Sequence, residues 1–138
     1  MADVILNDQE VKSAFLMAIS AGKPEKILTE KIKKLIPENK ILKILALGKA
    51  ASSMAETIIK LQIGFEGIII TNEENFREVS GFKCFATGHP IPDARGLEAT
   101  QNVELMLENL NENNHLLLLL SGGGSSLMPA PCEGITLK

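Results

Sequence analysis

Tryptophan and tyrosine are absent from this chain of 138 residues, and five phenylalanines are its only aromatics. Its interior must therefore be filled by Leu, Ile, Val, Ala and Met, and a base-stacking platform for single-stranded nucleic acid is not expected. Positive charge is in short supply: 14 Lys and Arg against 17 Asp and Glu leave a net charge of −3. That argues against a generally basic nucleic-acid or membrane binder, though not against a local patch. Cysteine is scarce as well. Cys84 and Cys132 form no close-spaced metal motif, and two cysteines do not staple a chain of this length; a reducing, cytoplasmic setting is the expectation. Long apolar runs are missing. Runs such as residues 14–19 and 116–120 fall far short of the roughly 20 residues of a membrane-spanning helix. The N-terminus, Met-Ala-Asp-Val-Ile-Leu-Asn-Asp, has neither the basic start nor the apolar stretch of a signal peptide.

What is present is globular in character, 45% hydrophobic and 22% charged, which argues against disorder and points to one compact unit. Asn7 with Glu10 three residues on reads as a capping box. Val11, Ala14, Phe15, Ala18 and Ile19 then recur at helical spacing up to Gly22. Pro24 suits a first helical position, and Ile27, Leu28, Ile32, Leu35 and Ile36 make a second amphipathic helix that stops at Pro37. From Lys23 to Lys43 seven lysines face three glutamates. This is either an anion-attracting patch or simply a solvated helix face.

From residue 41 the pattern changes. Residues 41–47, 67–71, 82–86 and 115–121 read as strands, the last apolar on both faces. Between them lie a helix over 50–61, with Met54, Ile58 and Leu61 on one face, and a helix from Asp93 to about Leu110, with Val103, Met106, Leu107 and Leu110 inward. Strands that are apolar throughout and alternate with helices predict an α/β fold: a parallel, Rossmann-like sheet of about four strands, covered on both sides. The division expected is a helical lead-in over 1–40 and the α/β unit over 41–138. The segment after Leu127 has nothing obvious to pack on, so the chain reads as the front of a larger protein.

In an open parallel sheet, ligands sit beyond the carboxyl ends of the strands, and three unusual segments fall there. After the first strand comes Gly48-Lys49-Ala50-Ala51. Gly48 allows a tight turn or a close approach, the new helix offers N–H groups and the positive end of its dipole, and Lys49 adds a full charge where the dipole disfavours one. The alternative is a solvated lysine beside a turn glycine. It is not a Walker A loop, because the upstream glycine and its spacer are missing. After the third strand comes Gly88-His89-Pro90-Ile91-Pro92-Asp93. Its prolines stiffen the segment, Asp93 suits a helix cap, and His89 could meet a carboxylate or phosphate. After the fourth strand comes Ser121-Gly122-Gly123-Gly124-Ser125-Ser126. Three glycines let backbone N–H groups converge on one anion, with the three serine hydroxyls as further donors; a flexible linker is the plain alternative. No metal ligand set is visible, and the Gly-x-Ser-x-Gly elbow of a hydrolase is absent.

These segments, together with Met54-Ala55, Gly96, Leu127, Pro131 and Gly134-Ile135, resemble the N-terminal part of the type II glycerate kinases, the glycerate 2-kinase family associated with a MOFRL domain. The likeness spans residue 41 to the C-terminus; Ser126 departs from the small residue, usually Ala, expected there. The resemblance implies transfer of the ATP γ-phosphoryl group to the 2-hydroxyl of D-glycerate, with Mg²⁺, at a cleft between two α/β domains. It places the family's active-site lysine on Lys49; the residues of the three segments read as phosphate- or substrate-binding are Gly48, His89, Asp93, Ser121, Gly122, Gly123, Gly124, Ser125 and Ser126. It also implies a missing C-terminal domain and an isolated chain without activity; a homodimer is compatible with it, and neither nucleic acid nor membrane is an expected partner. Two rivals stand beside this reading: a phosphosugar-binding fold of the sugar-isomerase (SIS) type, and a non-catalytic α/β scaffold.

Overall fold

A computed structural model describes residues 7–37, 39–61 and 64–137. Four strands, β1 (Ile41–Leu47), β2 (Phe65–Asn72), β3 (Phe82–Thr87) and β4 (Asn114–Leu120), pair in parallel in the order β3-β2-β1-β4. Five helices accompany them: α1 (Asp8–Ala21), α2 (Pro24–Leu35), α3 (Ala51–Ile59), α4 (Ala94–Glu108) and the short α5 (Gly124–Leu127). The parallel α/β sheet read from the sequence is borne out, with strand limits within two residues of those expected.

The strand order fixes where a ligand can bind. The chain steps from β1 to β2 to β3, then returns to place β4 on the other side of β1. The order reverses between β1 and β4, and that reversal opens a crevice at their carboxyl ends. The register sets Leu47 beside both Ile70 and Leu120, so β1 and β4 end at one level while β2 runs on with β3 through Thr71 and Asn72.

Alternation along β1 divides the core. Leu42, Ile44 and Ala46 face α3, where Met54, Ala55 and Ile58 pack with Ile32 of α2. Leu45 and Leu47 face the other way, toward Ala99 and Val103 of α4 and Leu127 of α5. Burying a side chain of this size stabilises by about 1.5–3 kcal/mol, so these two clusters hold the sheet.

Four expectations need correcting. The sheet is not covered on both sides along its whole width. Leu116, Leu118 and Leu120 of β4 share the α4 face of the sheet with Leu45 and Leu47, yet are 38%, 53% and 62% exposed. α4 packs on β3 and, through Ala99 and Val103, clusters with Ile68 and Ile70 of β2. The apolar spacing of α1 buries none of its residues, although its start is set as read: Asn7 Oδ1 accepts from the N–H groups of Gln9 and Glu10, and Glu10 accepts from Asn7. Leu107 points outward. Finally, the last segment does pack. Leu127 is fully buried, the Thr87 hydroxyl donates to the Leu127 carbonyl at 2.8 Å, and the Thr100 hydroxyl donates to that of Pro129 at 2.8 Å. Helix α4 admits Pro129 at Gly96, where a side chain would collide with the proline ring.

In the lysine-rich stretch, the side chains of Lys26, Glu30 and Lys33, and the whole of Glu38, lie outside the described residues. Of the rest, Lys43 pairs with Glu66 and Lys40 donates to the Glu112 carbonyl.

Candidate functional site

The two loops at the β1/β4 crevice are built into each other. Gly48 has φ +115°, and a Cβ placed there would lie 2.3 Å from Ser121 Oγ and 2.5 Å from its carbonyl oxygen. Only glycine meets both demands. The main chains interlock as well: Ser121 N–H donates to Leu47 O at 2.9 Å, Lys49 N–H to Gly122 O at 3.0 Å, and Ala50 N–H to Ser121 Oγ at 3.0 Å. The N–H groups expected to be free at the start of α3 are thus partly used, since Ala51 N–H also donates to Gly48 O. Ser121 is the cap of that junction, and its hydroxyl donates in turn to Leu47 O at 3.3 Å.

The Lys49 side chain stays outside this lattice. It is exposed, and its ammonium makes no ion pair with a described residue. The hydroxyls beyond it are already engaged. Ser52 donates to Asn75 O at 3.1 Å, and Ser53 accepts from Arg77 Nη2 at 2.8 Å.

The glycine run is not uniform. Gly123 has φ +97°, and a Cβ there would sit 3.1–3.2 Å from the His89 ring. Gly122 is exposed with open space around it, and Gly124 already begins α5, close over Leu47 and Leu120. Of the three serine hydroxyls expected to act as donors, Ser121 caps the junction and Ser126 donates back to Gly123 O at 3.1 Å. Only Ser125 is exposed.

The third segment arrives through His89. The His89–Pro90 peptide is cis, and the imidazole lies against Gly123. Asp93 takes the structural role of α4 cap, accepting from Arg95 N–H at 3.1 Å and Gly96 N–H at 3.3 Å. It also accepts from Arg95 Nε at 2.8 Å. The Arg95 guanidinium, with smaller help from the Gly96 and Gly88 amides, holds the Asp93 carboxyl below the usual carboxylate range, against a burial effect of opposite sign. Asp93 thus shapes the loop, and it also lines the hollow that His89 borders over the tips of β2 and β3.

Two hollows meet at the His89–Gly123 contact. One, of about 280 Å³, lies over the tips of β2 and β3, with Thr87, His89 and Arg95 in its wall and Glu73 and Glu74 at its rim. The other, of about 450 Å³, has an apolar floor of Leu47, Leu120 and Met128 beside the glycines. Among the described residues no group of three His, Cys, Asp or Glu side chains could hold a metal ion. Arg95 pairs with both Glu73 and Asp93, and Glu74 accepts from Asn72. These carboxylates do not fit a Mg²⁺ site. Cys84 is half-buried and Cys132 exposed, both free thiols; burial pushes the Cys84 thiol up, away from nucleophilic use.

Arg95 and Glu73 were not singled out by sequence reasoning. The signal was there: Thr71-Asn72-Glu73-Glu74-Asn75 is a polar cluster directly after a buried strand, the same position at which the other three segments stand.

A family model described as a domain of unknown function, DUF4147, matches residues 10–138. The chain belongs to the DUF4147 family. This DUF4147 domain is 35% identical over 125 residues to a protein of Thermotoga maritima named D-glycerate 2-kinase, covering 88% of this chain and 29% of that one. It is 33% identical over 131 residues to a protein of Pyrococcus horikoshii named glycerate 2-kinase, covering 88% and 30%. The chain therefore spans about 30% of the length of the curated relatives it matches. Its fold superposes on the crystal structure of a Pyrococcus horikoshii OT3 protein with a TM-score of 0.79 at 27% identity, covering 98% of this chain and 34% of that one. A glycerate kinase crystal structure from Thermotoga maritima gives 0.74 at 33% identity, covering 88% and 30%. The resemblance to the N-terminal part of the type II glycerate kinases carried by the three motifs is borne out.

Proposed function

We propose that this chain carries part of the active site of a glycerate 2-kinase, which moves the γ-phosphoryl group of ATP to the 2-hydroxyl of D-glycerate and yields 2-phosphoglycerate. The observation that carries the reading is the interlock of the Gly48-Lys49 turn with Ser121 and Gly122 at the β1/β4 crevice. It joins the turn that carries the exposed Lys49, whose ammonium makes no ion pair with a described residue, to the loop of the exposed Gly122, in a chain related to two proteins named glycerate 2-kinases. Phosphoryl transfer asks little covalent chemistry of a protein; positioning and charge stabilisation dominate. The Lys49 ammonium answers the negative charge of a phosphate or of the glycerate carboxylate. The amides about Gly122 and Gly123 supply donors with no side chain in the way, and His89 closes the loop from the β3 side.

The reaction's magnesium finds no place among this chain's described carboxylates, and no step is assigned to it here. ATP enters as the phosphoryl donor. The remaining groups of the cleft, a carboxylate base among them, are expected from a further C-terminal domain, so the isolated chain binds anions without turning over.

The test is calorimetric titration of the 138-residue chain with D-glycerate, ATP and a hexose phosphate, using wild-type and Lys49→Ala protein. Binding of glycerate or ATP that weakens about tenfold or more in Lys49→Ala is expected, the scale of one close charge pair of roughly 1–4 kcal/mol. Preference for the hexose phosphate would move the reading to the sugar-isomerase type. Equal binding by both proteins would remove Lys49 from the site, and glycerate phosphorylation by the isolated chain would overturn its inactivity.

A further inference from the structure

Resting on that reading, we propose that Arg95 is a positioning residue for the anion loop: by gripping Asp93 it fixes the bend from Gly88 to Asp93 that presses the His89 ring against Gly123. The chain of contacts is continuous. The guanidinium meets Asp93 Oδ2 through Nε at 2.8 Å and Nη2 at 2.6 Å, and its Nη1 pairs with Glu73 beyond the tip of β2. Held from both sides, the side chain is fixed in the fork geometry that gives arginine its directionality toward carboxylates.

Asp93 passes the constraint inward. Asp93 Oδ2 stands 2.9 Å from where a Gly88 Cβ would be, with Ile91 O at 2.5 Å. The bend is closed so tightly that only a residue without a side chain fits at its start. Gly88 alone separates the end of β3 from His89, whose ring then reaches Gly123 in the loop after β4. Arg95 itself touches neither Gly123 nor the Lys49 turn. Its effect is transmitted, and the N–H bonds from Arg95 and Gly96 to Asp93 show that capping α4 alone does not require the guanidinium. An exposed ion pair of this kind commonly adds little stability, so the role lies in geometry and is read there.

The test uses the isotopically labelled 138-residue chain and NMR. In the wild type, the His89 ring shows a nuclear Overhauser contact to Gly123, and inorganic phosphate shifts the Gly123 amide. In Arg95→Gln the ring contact is lost and the phosphate affinity falls roughly 10-fold, the scale seen when a group that orients a ligand-contacting residue is removed; Arg95→Lys restores part of both. Asp93→Ser, which keeps a good helix cap but removes the carboxylate, reproduces Arg95→Gln with the α4 amide shifts retained. A ring contact that persists in Arg95→Gln overturns the proposal, as does an unchanged phosphate affinity once the contact is lost. Failure of the wild type to bind phosphate strikes the functional reading instead, and the ring contact alone then decides the geometry.

Discussion

The tips of this sheet are finished in two different ways. At β1 and β4 the two loops are joined through main chain and one serine hydroxyl, with glycine demanded at Gly48. At β2 and β3 the loops are joined through side chains, in the network of Glu73, Arg95 and Asp93. Main-chain closure leaves little room for adjustment, because Leu47, Lys49, Ala50, Ser121 and Gly122 are tied to one another by hydrogen bonds. Side-chain closure is adjustable and exposed, and it responds to pH. A site that must hold a small anion firmly gains from the first, and a loop that must set a neighbouring ring can use the second.

The sharpest way to break the comparison is Gly48→Ala. Its Cβ would stand 2.3 Å from Ser121 Oγ and 2.5 Å from Ser121 O, at φ +115°. Overpacking and backbone strain contribute about 1–3 kcal/mol each, so urea unfolding should shift by several kcal/mol or the chain should fail to fold. An unchanged midpoint would show that the interlock is slack.

Within the glycine run the effects should separate. Gly123→Ala forces a side chain into left-handed backbone against the His89 ring and should destabilise by about 1–3 kcal/mol. Gly122→Ala meets open space and should unfold within about 0.5 kcal/mol of wild type. Equal losses at the two positions would mean that the run is sensed as a whole.

The smallest effect concerns acid. The folded state holds the Asp93 carboxyl below its ordinary value of 3.8 through Arg95 and the loop amides. A depressed folded value means that the contribution is complete above the ordinary value and is lost as pH falls below it and through the folded one. Asp93→Asn should therefore lower stability near neutrality by the amount that the wild type goes on to lose in acid, so that the two curves converge as pH falls below about 4. Parallel acid limbs for the two proteins would deny Asp93 that part.

The helix starts were legible because they rest on local chemistry. Asn7 with Glu10, and Asp93 before α4, make their bonds within three residues, and no distant contact can alter that spacing. The strands were legible because each apolar run, such as Ile41–Leu47, sits between turn formers. The exposed leucines of β4 were not. Period-two alternation tells which side chains share a face, while the neighbour that covers the face depends on where a helix crosses, and α4 crosses over β2 and β3. The fate of the serines was equally hidden, because Ser121, Ser125 and Ser126 look alike as hydroxyls until the fold shows which of them the backbone uses.

By itself, then, the order of residues determined the element boundaries, the parallel class of the sheet and the three glycine-marked segments, since each follows from periodicity, capping and the conformational range of single residues. Tertiary structure alone decided that β4 lies beside β1, that Gly48 meets Ser121, that His89 rests on Gly123 and that Arg95 joins two loops. Those contacts link residues far apart along the chain, and which partners meet is settled by the strand order and the crossings, a property of the whole packed sheet that no local stretch of sequence encodes.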